Sequence, residues 1–334
     1  MSEPRRILIV RTDRLGDVIL TLPMLSLLRS RYPSAVLGML LNTYTGQLVR
    51  GHPYADLLLW YDRSGMPRPG NELLGELRRN AFDTVFVVHP TPRIAWLMFR
   101  AGIPVRIGTG YRFYSSLFTH RVFEHRKNAN FHELEYNIRL LNALDPAFIE
   151  NQIDPEFGIS VDQVAAGRVQ KLLAKADLQP GERLVVIHPG SGGSARDWPL
   201  ERFVELGRRL SRTLGLRVAV TGGKGEESVV DRVVHGVPGD RTIAFPGTLT
   251  IPELAALLGQ ASVVVANSTG PLHLAAALGT PVVTLFGPTD PAWTENDFPL
   301  ERKIVAPDGT MTSISVAQTV AAGEQLLRGV VVKG

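Results

Sequence analysis

Two carboxylates, Asp13 and Asp17, stand four residues apart in "RTDRLGDVILTLP" (11–23), directly after the apolar run "RILIV" (6–10). An aspartate at such a strand-to-helix junction can cap a helix, hold a backbone turn or accept a proton. Gly16 beside Asp17 is read, with Asp13, as shaping the turn. Three junctions in the second half are equally rich in small and polar residues. In "HPGSGGSARDWPLERF" (188–203), glycines let backbone approach a ligand, Ser191, Gly192 and Ser194 line the loop, and Arg196 adds a charge before a proline-started helix. That pattern suits a diphosphate paired with Arg196, or else a long loop with a surface arginine. In "VANSTGPLHLAAALG" (265–279), Ser268, Thr269 and Gly270 precede an apolar helix carrying His273. Free amides around 269–272 make an anion site there; a plain N-cap with a core histidine is the alternative. In "TGGKGEES" (221–228), Glu226 or Glu227 can accept hydrogen bonds from ribose hydroxyls or simply favour a helix start.

Other chemistries lack their motifs. There is no H-E-x-x-H, no Walker A loop, no G-x-S-x-G turn and no D-x-D pair of the kind that holds a metal in many sugar transferases. Phosphate charge would then fall to Arg196 and backbone amides, so neither a metal nor a cofactor is expected. The 334 residues contain no cysteine, which excludes disulfides and thiolate metal sites. No apolar run reaches the roughly 18 residues of a membrane span, and the first apolar stretch is broken by Arg11, Asp13, Arg14 and Asp17, against a signal peptide. A cytoplasmic protein is expected. The formal charge of +4 lies wholly in residues 1–158, with 19 Lys and Arg against 15 Asp and Glu. It is densest over 100–127, around Arg112 and Arg121, a stretch suited to an anionic partner or a solvated surface. The chain carries no nucleic-acid motif, and nucleic acid is set aside as a partner.

These residues need a scaffold that delivers them to strand ends. Apolar runs at 6–10, 35–41, 56–60, 84–89 and 105–108, then at 183–189, 216–222, 241–245, 262–267 and 281–287, alternate with helical patterns. Strands buried on both faces and separated by helices make parallel sheets. Two sets of five predict an α/β protein of two α/β domains, 1–155 and 156–334, joined in the polar "ENQIDPEFGIS" (150–160). The closing "SISVAQTVAAGEQLLRG" (313–329) reads as a last helix that either packs on its own domain or crosses back to the first.

Three blocks, in order, resemble the family 9 glycosyltransferases, which include the ADP-heptose:lipopolysaccharide heptosyltransferases. They are "ILIVRTDRLGDVILTLPML", "VVIHPGSGGSARDWPLERF" and "LAALLGQASVVVANSTGPLHLAAALGTPVVTLFGPTDP". The resemblance implies the GT-B architecture, two Rossmann-like domains facing across a cleft, with acceptor on the first and nucleotide-sugar on the second. It implies that Asp17 is the catalytic base, that Arg196 grips the diphosphate, that Ser268–Thr269–Gly270 is the second phosphate-binding turn, and that Leu249 and Glu226 or Glu227 lie near adenine and ribose. Asp13 is not given the proton transfer. The expected activity is inverting, metal-independent transfer of a sugar, heptose from ADP-heptose, to a lipopolysaccharide core or related glycan. It would take place at the inner face of the membrane, with Arg63, Arg68, Arg112 and Arg121 meeting the anionic acceptor.

Two departures qualify this. Ser268 stands where heptosyltransferases commonly have aspartate, and the C-terminal part is short and lacks a cysteine-containing loop frequent in relatives. Another nucleotide-sugar donor, a nucleotide-sugar epimerase and an inert binding module remain as competing readings.

Overall fold

Arg6–Val10 forms β1, and every residue after the first is buried, as in a strand with helices on both faces. The computed structural model describes residues 3–125, 131–150, 156–193, 195–237, 239–287 and 300–329. The chain divides into two compact units, Met1–Ser160 and Val161–Gly334. Residues 156–158 belong to the first through Glu156, which accepts from the Tyr54 hydroxyl at 2.5 Å, and the Phe157 carbonyl, 2.9 Å from His52 Nε2.

In chain order the first unit continues with α1 (Leu15–Ile19), α2 (Pro23–Arg31), β2 (Val36–Leu41), β3 (Leu57–Trp60), β4 (Asp62–Arg63), β5 (Met66–Pro67) and α3 (Gly70–Asn80). Then come β6 (Thr84–Val87), α4 (Pro92–Arg100), β7 (Val105–Thr109), β8 (His120–Val122), α5 (Glu133–Arg139) and α6 (Ala147–Glu150). The second unit runs α7 (Gln163–Lys175), β9 (Leu184–His188), α8 (Leu200–Leu214), β10 (Arg217–Gly222), α9 (Glu227–Gly236) and β11 (Thr242–Pro246). It ends with α10 (Ile251–Gln260), β12 (Val263–Asn267), α11 (Gly270–Ala277), β13 (Val282–Phe286), β14 (Glu301–Val305) and α12 (Val316–Gly329).

Each unit is built on one six-stranded parallel sheet, β3-β2-β1-β6-β7-β8 in the first and β11-β10-β9-β12-β13-β14 in the second. With the β4–β5 hairpin set aside, both follow the doubly wound Rossmann order. The order reverses between β1 and β6, where Val10 pairs with Val87, and between β9 and β12, where His188 pairs with Ala266.

The sheets have six strands where five were expected. The additional strands, β8 and β14, lie at sheet edges. Three-residue β8 has no buried residue, and β14 begins Glu-Arg-Lys. Short, charged edges are how sheets avoid pairing with other chains, and those same features hide them from a hydrophobic pattern.

Alternation along the central strands builds a core on each face. Leu8 and Val10 pack with Leu73, Leu77, Ile94 and Met98 of α3 and α4, while Ile7 and Ile9 between them are equally buried. In the second unit Val185, Ile187, Val218 and Val220 meet Phe203, Leu206 and Leu210 of α8. Those three share one helical stripe. Truncating Phe203 to alanine there would cost about 3–5 kcal/mol. Leu326 and Leu327 join this second core, so the closing helix packs on its own domain instead of crossing back. It starts at Val316, with Ser315 and Gln318 capping reciprocally through bonds of 3.2 and 3.0 Å.

Candidate active site

Where strand order reverses, neighbouring crossovers leave on opposite faces, and the strand ends open a crevice for ligands. In the first unit this is the exit of β1. The first residue after the strand, Arg11, is buried, with 4% of its side chain exposed. Its guanidinium meets Asp13 at 2.7 Å, Asp17 at 2.8 Å and Glu133 at 3.1 Å. It also donates to Asn137 Oδ1 at 3.4 Å, and Asn137 in turn donates to the Leu20 carbonyl at 3.0 Å. An isolated buried cation would be expensive, and this ring of acceptors is what makes it tenable. Burial by itself would lower the Arg11 pKa; the carboxylates outweigh burial and raise it.

Asp17 lies in the first turn of α1, yet the N-cap position is Arg14 and no side chain caps the helix. Its carboxylate is instead paired with Arg11 and is 31% exposed. Lost hydration raises its pKa; Arg11 opposes this, Asp13 and Glu133 add to it, and His89 opposes it, with the net direction upward. His89 Nδ1 sits 3.5 Å from Thr12 Oγ1 at the exit of β6. A partly exposed carboxylate with a raised pKa, oriented through one oxygen, is a competent proton acceptor. Gly16 does not shape a turn: it is buried inside α1, and its carbonyl accepts from the Leu20 amide at 2.9 Å. Asp13 is fixed by Arg11.

The second unit builds its crevice largely from backbone and amide groups, with two carboxylates, Asp197 and Glu226, bonded into its loops. Asn267, fully buried at the end of β12, accepts from the Trp198 amide at 3.1 Å and donates to the Pro189 carbonyl at 2.8 Å. The loop between β9 and α8 is thereby stapled at both ends. Trp198, also buried, donates its indole N–H to the Ile314 carbonyl at 3.0 Å. Gly192 and Gly193 carry φ of 54° and 74° between the staples, the left-handed region where glycine is unstrained. Ser191 is buried, and its hydroxyl donates to the Ala195 carbonyl at 3.1 Å. Ser194 lies outside the described residues. Arg196 is exposed and has no carboxylate partner among the described residues. Its Cβ lies close to Gly287 at the end of β13.

At the start of α11, Thr269 is buried, and its hydroxyl has no hydrogen-bond partner among the described residues. The free amides do not extend to 272 as expected. Pro271 has none, and the Leu272 and His273 amides turn onto the Thr269 carbonyl at 3.1 and 3.3 Å. Thr269 and Gly270 carry what remains, next to partly buried Ser268. Lost hydration pushes His273 down to about 4, so its ring is neutral near pH 7.

The two glutamates part company. Glu226 accepts from Gly192 at 2.8 Å and Gly223 at 2.6 Å, and a Cβ at Gly190 would collide with its Oε1. It braces one loop against another, a structural use the ribose expectation did not include. Glu227 is exposed at the start of α9, where the Gly225 amide, 3.1 Å away, and its own amide lower its pKa. A Cβ at Gly247 would lie 3.1 Å from Glu227 Oε1, two residues before half-buried Leu249. Of the pair, Glu226 is committed to the two loops, while Glu227 stays exposed beside Gly247.

The four arginines expected to meet an acceptor are not equivalent. Arg68 is mostly buried, bonded to Glu76 at 2.6 Å and the Trp60 carbonyl at 2.9 Å, and this corrects the expectation for it. Arg63 is exposed but pairs with Glu72 at 2.9 Å. Arg112 and Arg121 are exposed and carry no ion pair among the described residues. Among the described residues no three His, Asp or Glu side chains are placed to hold a metal ion. Arg11, Glu133, Asn137, Asn267 and Trp198 were not singled out from sequence. Arg11 left one signal: an arginine flush against a buried strand with carboxylates two and six positions on.

The chain is similar to known proteins in sequence and in fold. Lipopolysaccharide heptosyltransferase 3 of Escherichia coli K12 is 26% identical over 339 residues, covering 93% of this chain and 95% of that protein. A family 9 glycosyl transferase from Veillonella parvula superposes with a TM-score of 0.86 at 23% identity, covering 97% of both chains. The ADP-heptose lipopolysaccharide heptosyltransferase II of Escherichia coli gives 0.80 at 20%, covering 97% of this chain and 99% of that one. These structural likenesses show the fold, the GT-B class with its two Rossmann-like domains. The family model for glycosyltransferase family 9 (heptosyltransferase) matches residues 71–313, and the chain belongs to that family of glycosyltransferases.

Proposed function

We propose that this enzyme moves a sugar, with inversion and without a metal, from a nucleotide-sugar to a hydroxyl of a lipopolysaccharide core or related anionic glycan. The observation that carries the reading is Asp17, partly exposed at the β1 exit, gripped by Arg11 and raised in pKa. As the acceptor oxygen attacks the anomeric carbon, its proton passes to Asp17. The bond from that carbon to the donor phosphate breaks, and the electron pair leaves with the nucleoside diphosphate. A single displacement inverts the centre. In the second domain the Arg196 guanidinium, the glycine loop and the Thr269–Gly270 start of α11 would stabilise the departing negative charge. Glu227 and Leu249 would hold ribose and base. The first domain would take the acceptor, with Arg112 and Arg121 supplying charge. The reading includes a cytoplasmic enzyme at the inner face of the membrane.

ADP-heptose is the donor we favour, since heptosyltransferases are the named relatives and one of them is titled for that donor. Ser268, in place of the aspartate common in heptosyltransferases, supports a second reading with another nucleotide-sugar. Calorimetric titration with ADP, UDP and GDP, with Mg²⁺ and with chelator, separates them. Metal-insensitive ADP binding, weakened in Arg196→Ala, is expected. A preference for UDP or GDP would move the enzyme to another donor, and a strict Mg²⁺ requirement would sink the metal-free mechanism.

A further inference from the structure

Between Asp83 and Glu124 lie 40 residues without a carboxylate and with five arginines, at 93, 100, 106, 112 and 121. The fold turns part of this stretch into an outward aromatic face. Helix α4 buries Ile94, Ala95, Leu97 and Met98 against the first core. Helical spacing then leaves Trp96 and Phe99 outside, 50% and 44% exposed, with ring centroids 5.8 Å apart. The Arg100 guanidinium lies 5.7 Å from the Trp96 ring centre and that of Arg106 lies 5.5 Å from Phe99. The turn Phe113–Leu117 packs against α4 and presents Phe113, 88% exposed, beside exposed Arg112.

We infer that the outer face of α4 and the Phe113 turn dock the enzyme onto an anionic lipid surface. Exposed aromatic side chains beside arginines match the depth profile of a bilayer interface, with rings at the headgroup boundary and guanidinium groups among phosphates. The charge argues against a second copy of this chain as the occupant. A two-fold contact would set the arginines of one face against those of the other, and the stretch offers no carboxylate to separate them. This inference deepens the glycolipid-acceptor reading, because it brings the enzyme to the surface where such an acceptor is embedded.

The test is co-sedimentation of the full chain with vesicles containing phosphatidylglycerol, against pure phosphatidylcholine, in low and high salt. Wild type should bind the anionic vesicles and release in salt. The variant Trp96→Ser/Phe99→Ser/Phe113→Ser should bind at least about tenfold more weakly, and Arg100→Glu roughly fivefold more weakly. Transfer to a delipidated, soluble acceptor should be unchanged in both, which also reports that they fold. Equal binding to neutral vesicles, no wild-type binding, or undiminished binding by the aromatic variant would each overturn the inference. Self-association abolished by the same substitutions would assign the face to a second copy and overturn it too. Vesicle binding is read without acceptor or donor, so its failure leaves the catalytic reading untouched, and loss of transfer in Asp17 variants leaves the docking face untouched.

Discussion

The two domains share one topology and fill its reversal point in opposite ways. In the first, four charged side chains meet there: Arg11 is ringed by Asp13, Asp17 and Glu133, three carboxylates for one guanidinium. In the second, the same place holds a fully buried amide, glycines and a threonine hydroxyl with no partner among the described residues; its carboxylates, Asp197 and Glu226, are taken up by Asn267 and loop amides, and Arg196 stands outside without a described counter-ion. An excess of negative charge favours taking up a proton; an excess of donors favours an anion. One fold thus offers sites of opposite polarity, and the side chains at the strand exits set which.

Breaking the first site should have the largest effect. Asp17→Asn keeps the size of the side chain and removes the base, so kcat should fall by about 10²–10⁴-fold while ADP binding stays as in wild type. Parallel losses of turnover and nucleotide affinity would mean the two sites are not separable in this way. Next comes the clamp. Arg11→Gln leaves buried carboxylates without their cation and should lower stability by about 3–5 kcal/mol in denaturant unfolding. It also has a pH signature. Base catalysis needs ionised Asp17, so activity is lost as pH falls through a pKa already above the ordinary 3.8. Since Arg11 holds that pKa down, its removal should move the acid limb of kcat/KM to still higher pH, and Arg11→Lys should restore much of the wild-type profile. An unmoved limb would assign the proton to another group.

The second site should respond more gently. Arg196→Ala should weaken ADP binding by about 1.5–3 kcal/mol, the range for hydrogen bonds to charged groups, with little change in melting temperature. The smallest effect is also the sharpest. Thr269→Val removes a buried hydroxyl that has no partner among the described residues, so the free enzyme should gain up to about 1 kcal/mol while nucleotide binding weakens by a similar amount. If both quantities fell together, the hydroxyl would be structural and not part of a cradle.

Much of this molecule was legible in its sequence, for reasons visible in single elements. Ten of the twelve sheet strands read true, most of them because parallel strands buried on both faces are continuous apolar runs, such as "VVVAN" at β12. Helix α8 read true because its apolar residues follow a 3.6-residue period and Gly215, in the left-handed conformation, ends it. Edge strand β14 did not, since "ERKIV" has charges where the pattern needs apolar residues. Asp17 and Arg196 stood out because a strand end and a helix start flank them along the chain, while the roles expected of them came from the family resemblance.

Local order along the chain thus determined the two Rossmann-like units, the junctions where chemistry sits and the residue types offered there. Partners far apart in sequence were settled only by the tertiary structure. Glu133 reaches Arg11 across 122 positions, Asn267 reaches Trp198 across 69, and Glu226 reaches Gly192 across 34. Each pairing joins groups that only the folded chain brings together. A hydrophobic period records which face is buried, but it carries no trace of which buried polar group will find which partner.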